Sequence, residues 1–121
     1  MTTSVAERDE ALVNGRQVCD AAVTLAFSVL GKRWNGMIVS ALGGGASTFG
    51  GLRRAVPGIS DAVLSERLAG LADAGLVVRT VTAGPPTGVD YALSDSGERL
   101  LPILDQLGRW AEGNLAERST A

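Results

Sequence analysis

The stretch Ser47–Gly75, STFGGLRRAVPGISDAVLSERLAGLADAG, decides how this 121-residue chain folds. Phe49, Leu52 and Val56 recur at spacings of three and four, the period of one helical face, and Ser47 or Thr48 stands ahead of them as a cap. Pro57 and Gly58 then break the helix, because proline lacks the backbone N–H and glycine turns freely. Ser60 caps a second helix whose buried stripe is Leu64, Leu68 and Leu71, and Gly75 stops it. Two short helices joined by a short glycine-containing turn match a helix-turn-helix, here over about residues 47–73.

Downstream the period changes from near 3.6 to near 2. Leu76–Thr82 is β-branched, and Val89, Tyr91 and Leu93 alternate with Asp90 and Ala92. Between them AGPPTG (Ala83–Gly88) suits a hairpin tip, so residues 76–93 read as a wing behind the helix-turn-helix. Ser94 caps a last helix over about residues 95–117, with a broad apolar face that includes Leu104, Leu107, Trp110 and Ala111. Pro102 predicts either a kink or a helix that starts only near Leu100. Upstream, Trp34, Met37, Ile38, Ala41 and Leu42 form an amphipathic stripe that Gly43–Gly45 ends. The glycines are not followed by Gly-Lys-Ser/Thr, so they do not make a phosphate loop. From Cys19 to Leu30 apolar residues occupy nearly the whole helical circumference, Leu25 among them, which predicts burial on more than one side and hints at a subunit interface. The fold class is therefore α+β, mostly α, with a flexible arm over 1–14, one winged helix-turn-helix domain over 15–117 and a tail over 118–121.

Composition limits what such a domain does. There is no histidine and one cysteine, Cys19, which removes histidine-based acid/base catalysis, the usual zinc ligand sets and any intrachain disulfide. No metal or cofactor is expected, and a small enzyme is remote. Neither a signal peptide nor a membrane span is visible, so a cytoplasmic protein is expected. The net charge of −2 conceals an uneven distribution. Between Gly31 and Thr80 six basic residues (Lys32, Arg33, Arg53, Arg54, Arg67, Arg79) face three acidic ones (Asp61, Glu66, Asp73), so 6 − 3 = +3. The remainder holds 5 basic and 10 acidic residues, or −5. A local basic surface is what phosphate binding requires.

The ordered motifs resemble one family closely. Gly31-Lys32-Arg33-Trp34, Phe49-x-x-Leu52-Arg53-Arg54, Pro57-Gly58-Ile59-Ser60, the run Leu64-x-x-Arg67-Leu68-x-x-Leu71-x-x-x-Gly75-Leu76-Val77, and Tyr91-x-Leu93-Ser94-x-x-Gly97 are similar to motifs of the HxlR family, bacterial winged-helix regulators of transcription allied to the MarR group. The resemblance covers about Cys19–Ala111. It implies a homodimer built by the first and last helices, Leu25, Leu104, Leu107, Trp110 and Ala111 contributing to the interface. It also implies double-stranded DNA as partner, with two recognition helices in successive major grooves of a partly palindromic operator. Many members carry a cysteine near the start of the first helix and several sense oxidants or electrophiles through it; Cys19 occupies that position, with Asp20 where proline is common.

In the helix after Ser60 the outward residues are Ala62, Glu66, Ala69 and Asp73, with Asp61, Val63 and Ser65 on the flanks. The first two turns of a recognition helix reach base edges. Ser60 and Ser65 suit bases or phosphates, Glu66 suits cytosine N4, and Ala62 suits a thymine methyl; for Ser60 a capping role alone, and for Glu66 a solvated surface charge, stand as alternatives. Arg53 and Arg54, with Thr48 ahead of them, belong to the helix that crosses the DNA backbone. Lys32, Arg33 and the wing-strand Arg79 complete the candidate phosphate contacts. Arg67 reads equally as a phosphate contact or as an ion-pair residue with Asp61 or Asp73. The family usually has glutamine or lysine-type residues at Asp61 and Ala62, and arginine just past its two prolines, where this chain has Thr87 and Gly88. Cys19, with Arg16 near it and Asp20 opposing, reads as a redox sensor or as a buried inert thiol. The expected function is a dimeric, sequence-specific regulator, more a repressor than an activator, responsive to oxidants through Cys19 or to a small apolar effector. A winged-helix interaction module without DNA binding is the competing reading, favoured by Asp61, Glu66 and the missing wing arginine.

Overall fold

Side-chain caps set the start of three helices in the structure, a computed structural model that describes residues 20–115. The described residues divide between Arg33 and Trp34 into two units. The first holds one helix, α1, over residues 20–30, whose Val23, Leu25 and Phe27 are exposed in the single chain. The burial that its apolar circumference predicts is not seen among the described residues.

The second unit is built in the order α2 (Asn35–Leu42), β1 (Ser47–Thr48), α3 (Phe49–Ala55), α4 (Asp61–Asp73), β2 (Val77–Thr82), β3 (Gly88–Leu93) and α5 (Asp95–Asn114). Thr48 caps α3 by accepting from the Gly51 N–H at 3.0 Å, and Ser60 caps α4 by accepting from the Val63 N–H at 3.2 Å. Gly58 in the turn and Gly75 after α4 take φ of 91° and 81°, a region L-residues with a Cβ avoid. After α4 the Leu76 N–H donates to Leu71 O and the Gly75 N–H to Ala72 O, the paired bonds of a glycine-terminated helix.

The core forms where the stripes of α2, α3 and α4 meet. Ile38, Val39, Leu52, Val56, Leu64 and Leu71 have no more than 1% of their surface exposed, and Leu68 has 2%. Three stripe residues of α4 are thus buried as the spacing predicts, while Phe49 is only half-buried. In α2 the expectation needs correcting. The helix starts at Asn35, one residue after the Trp34 of the expected stripe, and buries Asn35 and Val39 along with Ile38 and Leu42, while Met37 is exposed. Trp34, its N-cap, holds φ 82°, an uncommon strained value for a bulky residue.

A three-stranded antiparallel sheet in the order β1-β3-β2 closes the unit. Val77 pairs with Leu93 and Thr82 with Gly88 in the β2–β3 hairpin, and Ser47 pairs with Tyr91 at the short edge. α5 begins at Asp95, capped by Ser94, and runs unbroken past Pro102 to Asn114. The start near Leu100 is therefore incorrect: a hydroxyl accepting from the Gly97 N–H at 3.1 Å fixes the first turn far upstream of the proline. The helix ends at Asn114, with Leu115 as its C-cap, three residues short of the expected 117.

Candidate nucleic-acid interface

Burying the leucine stripe of α4 leaves its opposite side to solvent. Ser60, Asp61, Ala62, Ser65, Glu66 and Ala69 are all exposed, and Val63 and Arg67 are half-buried at the margin. This is the arrangement a helix needs to enter a groove, with its first two turns free of the core. α3, one turn away in the chain, presents Arg53 and Arg54, also exposed.

The charges are not equally available. Arg53 Nη1 donates to both carboxylate oxygens of Asp61, at 3.0 and 3.1 Å, so α3 is tied to the first residue of α4. Arg67 Nη1 lies 2.7 Å from Glu66 Oε1. Of the two readings of Arg67, an ion pair is present, with the adjacent Glu66 as its carboxylate, while Asp61 is engaged by Arg53. Arg54 and Arg79 make no ion pair among the described residues.

Arg79 lies on β2, in register with Tyr91 of β3. With Ser65, Leu68, Ala69 and Ala72 of α4 these two residues line one shallow hollow, so the wing strand and the recognition helix share a surface. Sequence spacing alone did not show this, since residues 65 and 79 are on different elements and only the turn at Gly75 brings them together. The hydroxyls of Thr48 and Ser60 accept from their own helix ends, which leaves the hydroxyl proton of each to donate to a phosphate. Lys32 and Arg33 are exposed after α1 and belong to the first unit. Cys19 lies outside the described residues. Leu25 is exposed on α1; on α5 Leu107 and Trp110 are exposed and Leu104 and Ala111 half-buried. Among the described residues no helix is long and apolar enough to cross a membrane.

Residues 29–119 match the family described as HxlR-like helix-turn-helix. YvaP of Bacillus subtilis (strain 168), an uncharacterized HTH-type transcriptional regulator, is 41% identical over 86 residues, 71% of this chain and 80% of that protein. YodB of the same organism, an HTH-type transcriptional regulator, is 38% identical over 87 residues, 72% of this chain and 78% of its own. The solved reduced form of YodB superposes with a TM-score of 0.70 at 36% identity, covering 76% of this chain and 90% of that one. YodB is also known in diamide-treated and quinone-bound forms. The redox regulator HypR in its reduced form gives a TM-score of 0.74 at 30% identity, covering 83% of this chain and 99% of that one. YvaP and YodB are both HTH-type transcriptional regulators. With the winged helix-turn-helix architecture and the family match agreeing, the chain belongs to the HxlR-like helix-turn-helix family of transcriptional regulators.

Proposed function

We propose that the protein is a dimeric, sequence-specific DNA-binding repressor that releases its operator when oxidants or electrophiles modify Cys19. The observation that carries the DNA-binding reading is the two-sided character of α4: its leucines are sealed in the core, while Ser60, Asp61, Ala62, Ser65 and Glu66 stand in solvent, with Arg53 bonded to Asp61 and Arg79 lining a hollow with Ser65. In this reading Ser65 and Glu66 contact base edges, Ala62 meets a thymine methyl, and Thr48, Arg54, Arg67 and Arg79 hold phosphates, joined by Lys32 and Arg33, while Arg53 faces the backbone with Asp61 already bound to it. Two protomers joined through α1 and α5 set two such helices about one DNA turn apart on a partly palindromic site. Repression follows from occupancy, since a bound operator excludes polymerase without a further surface. Support for the redox response comes from Cys19 being the lone thiol and from the redox character of HypR and the diamide and quinone forms of YodB.

The test is a mobility-shift series on the DNA upstream of its own and neighbouring genes, at rising salt and with or without diamide. Binding is expected to fall steeply with salt, as counterion release demands. Diamide is expected to release the wild type and leave Cys19→Ser bound. Absence of binding would favour the interaction module, and equal release of both forms would remove Cys19 from the mechanism.

A further inference from the structure

We infer that Asp61 is an internal counter-ion that holds Arg53 in place of a DNA phosphate and so weakens binding that relies on the backbone alone. The inference rests on the DNA-binding reading above and deepens it. One guanidinium nitrogen, Arg53 Nη1, meets both Asp61 oxygens at 3.0 and 3.1 Å. The two side chains are 49% and 62% exposed, so water reaches the pair and its exchange disturbs no core contact. The side-chain cap of α4 is separate from the pair, because Ser60 caps the helix through its own hydroxyl.

The pair bridges the two elements that matter on DNA. The first helix of such a motif crosses the backbone, and the start of the second enters the groove. A phosphate that reaches Arg53 therefore competes with Asp61 for the same donors. If it wins, it leaves a bare carboxylate beside a polyanion; if it loses, Arg53 contributes no counterion release. Either outcome weakens contact with backbone alone. The neighbouring Arg54 has no ion pair among the described residues and is not restrained in this way. The positive reader of the sequence is thus partly self-neutralised at its centre, and contacts to bases must carry a larger share of the binding.

A double-mutant cycle on a labelled duplex of random sequence tests this. Asp61→Asn is expected to tighten binding about three- to tenfold near 100 mM salt and to steepen the salt slope by about one ion per protomer. In an Arg53→Ala background the same substitution is expected to give no gain in slope, because nothing is left to release. Equal steepening in both backgrounds, or no gain in either, overturns the inference. Asp61→Ser serves as a second variant, and circular dichroism of each protein checks that the fold is intact. Salt-sensitive wild-type binding without an Asp61→Asn gain defeats this inference alone; a wild type that shows no salt-sensitive binding defeats it together with the DNA-binding reading.

Discussion

Ser94 joins three parts of the chain through one short side chain. Its hydroxyl accepts from the Gly97 N–H at 3.1 Å and donates to Gly75 O at 2.6 Å, while its own N–H donates to Leu76 O at 2.9 Å. Gly97 is buried against this junction, where a Cβ would collide with the Leu76 carbonyl. The end of the recognition helix, the start of the wing and the start of α5 are thereby locked together. Ser94→Ala is expected to cost about 1–2 kcal/mol in urea unfolding, more than Thr48→Ala at about 1 kcal/mol, because only Ser94 also serves a second element. On the DNA side Arg54→Ala should weaken binding to every duplex alike and flatten the salt slope by about one, measured by fluorescence anisotropy. Ser65→Ala should instead alter preference among sequences. All three hydroxyl caps were legible as Ser or Thr ahead of an apolar stripe. The partners of Arg53 and Arg67 were not, since helical spacing names several carboxylates within reach and side-chain geometry across a turn selects among them.

The helices were readable where one face is sealed and less so where the rule is local. Leu64, Leu68 and Leu71 recur at the α-helical period because the core selects them, so α4 was visible to within a residue of its observed span. Two-residue β1 has no period to detect and exists only because β3 offers a partner for Ser47 and Thr48. Met37 fits the stripe of α2 by spacing, yet it sits toward α5 with Leu104 and Leu107 along an apolar groove, where a neighbouring helix makes an apolar residue useful outside the core. Pro102 marks the limit of propensity reasoning. It lies inside α5, where it cannot donate to the carbonyl of Glu98, and the helix persists because both residues face water and Leu101 packs against the Gly43 end of α2. Pro102→Ala is therefore expected to raise the unfolding free energy by about 1–3 kcal/mol, read from the shift in denaturation midpoint.

At the scale of the whole molecule, each of the two units leaves apolar surface exposed among the described residues. α5 exposes Ile103, Leu107 and Trp110, Trp110 at 54%, with Leu115 just past its end, and α1 in the other unit exposes Val23, Leu25 and Phe27, with Leu25 at 72%. Scattered exposed leucines are ordinary, but a large apolar face continuing along one helix marks an interaction surface. The sequence already hinted at this, because the apolar circumference of residues 19–30 and the broad face of the last helix exceed what a core of this size can cover. The proposed dimer supplies the missing partner and accounts for the acidic ends, which lie away from the arginine-rich middle in the chain. Leu107→Glu with Trp110→Glu tests it directly. Both side chains are exposed in the protomer, so the fold should survive and circular dichroism should match the wild type. Two carboxylates in a desolvated interface are costly, so sedimentation should show the mass of one chain. Operator affinity should then fall by orders of magnitude, because each half-site is held alone and the second contact is no longer intramolecular. If the double variant sediments with the wild type and still binds its operator, the α5 face is not where the protomers meet.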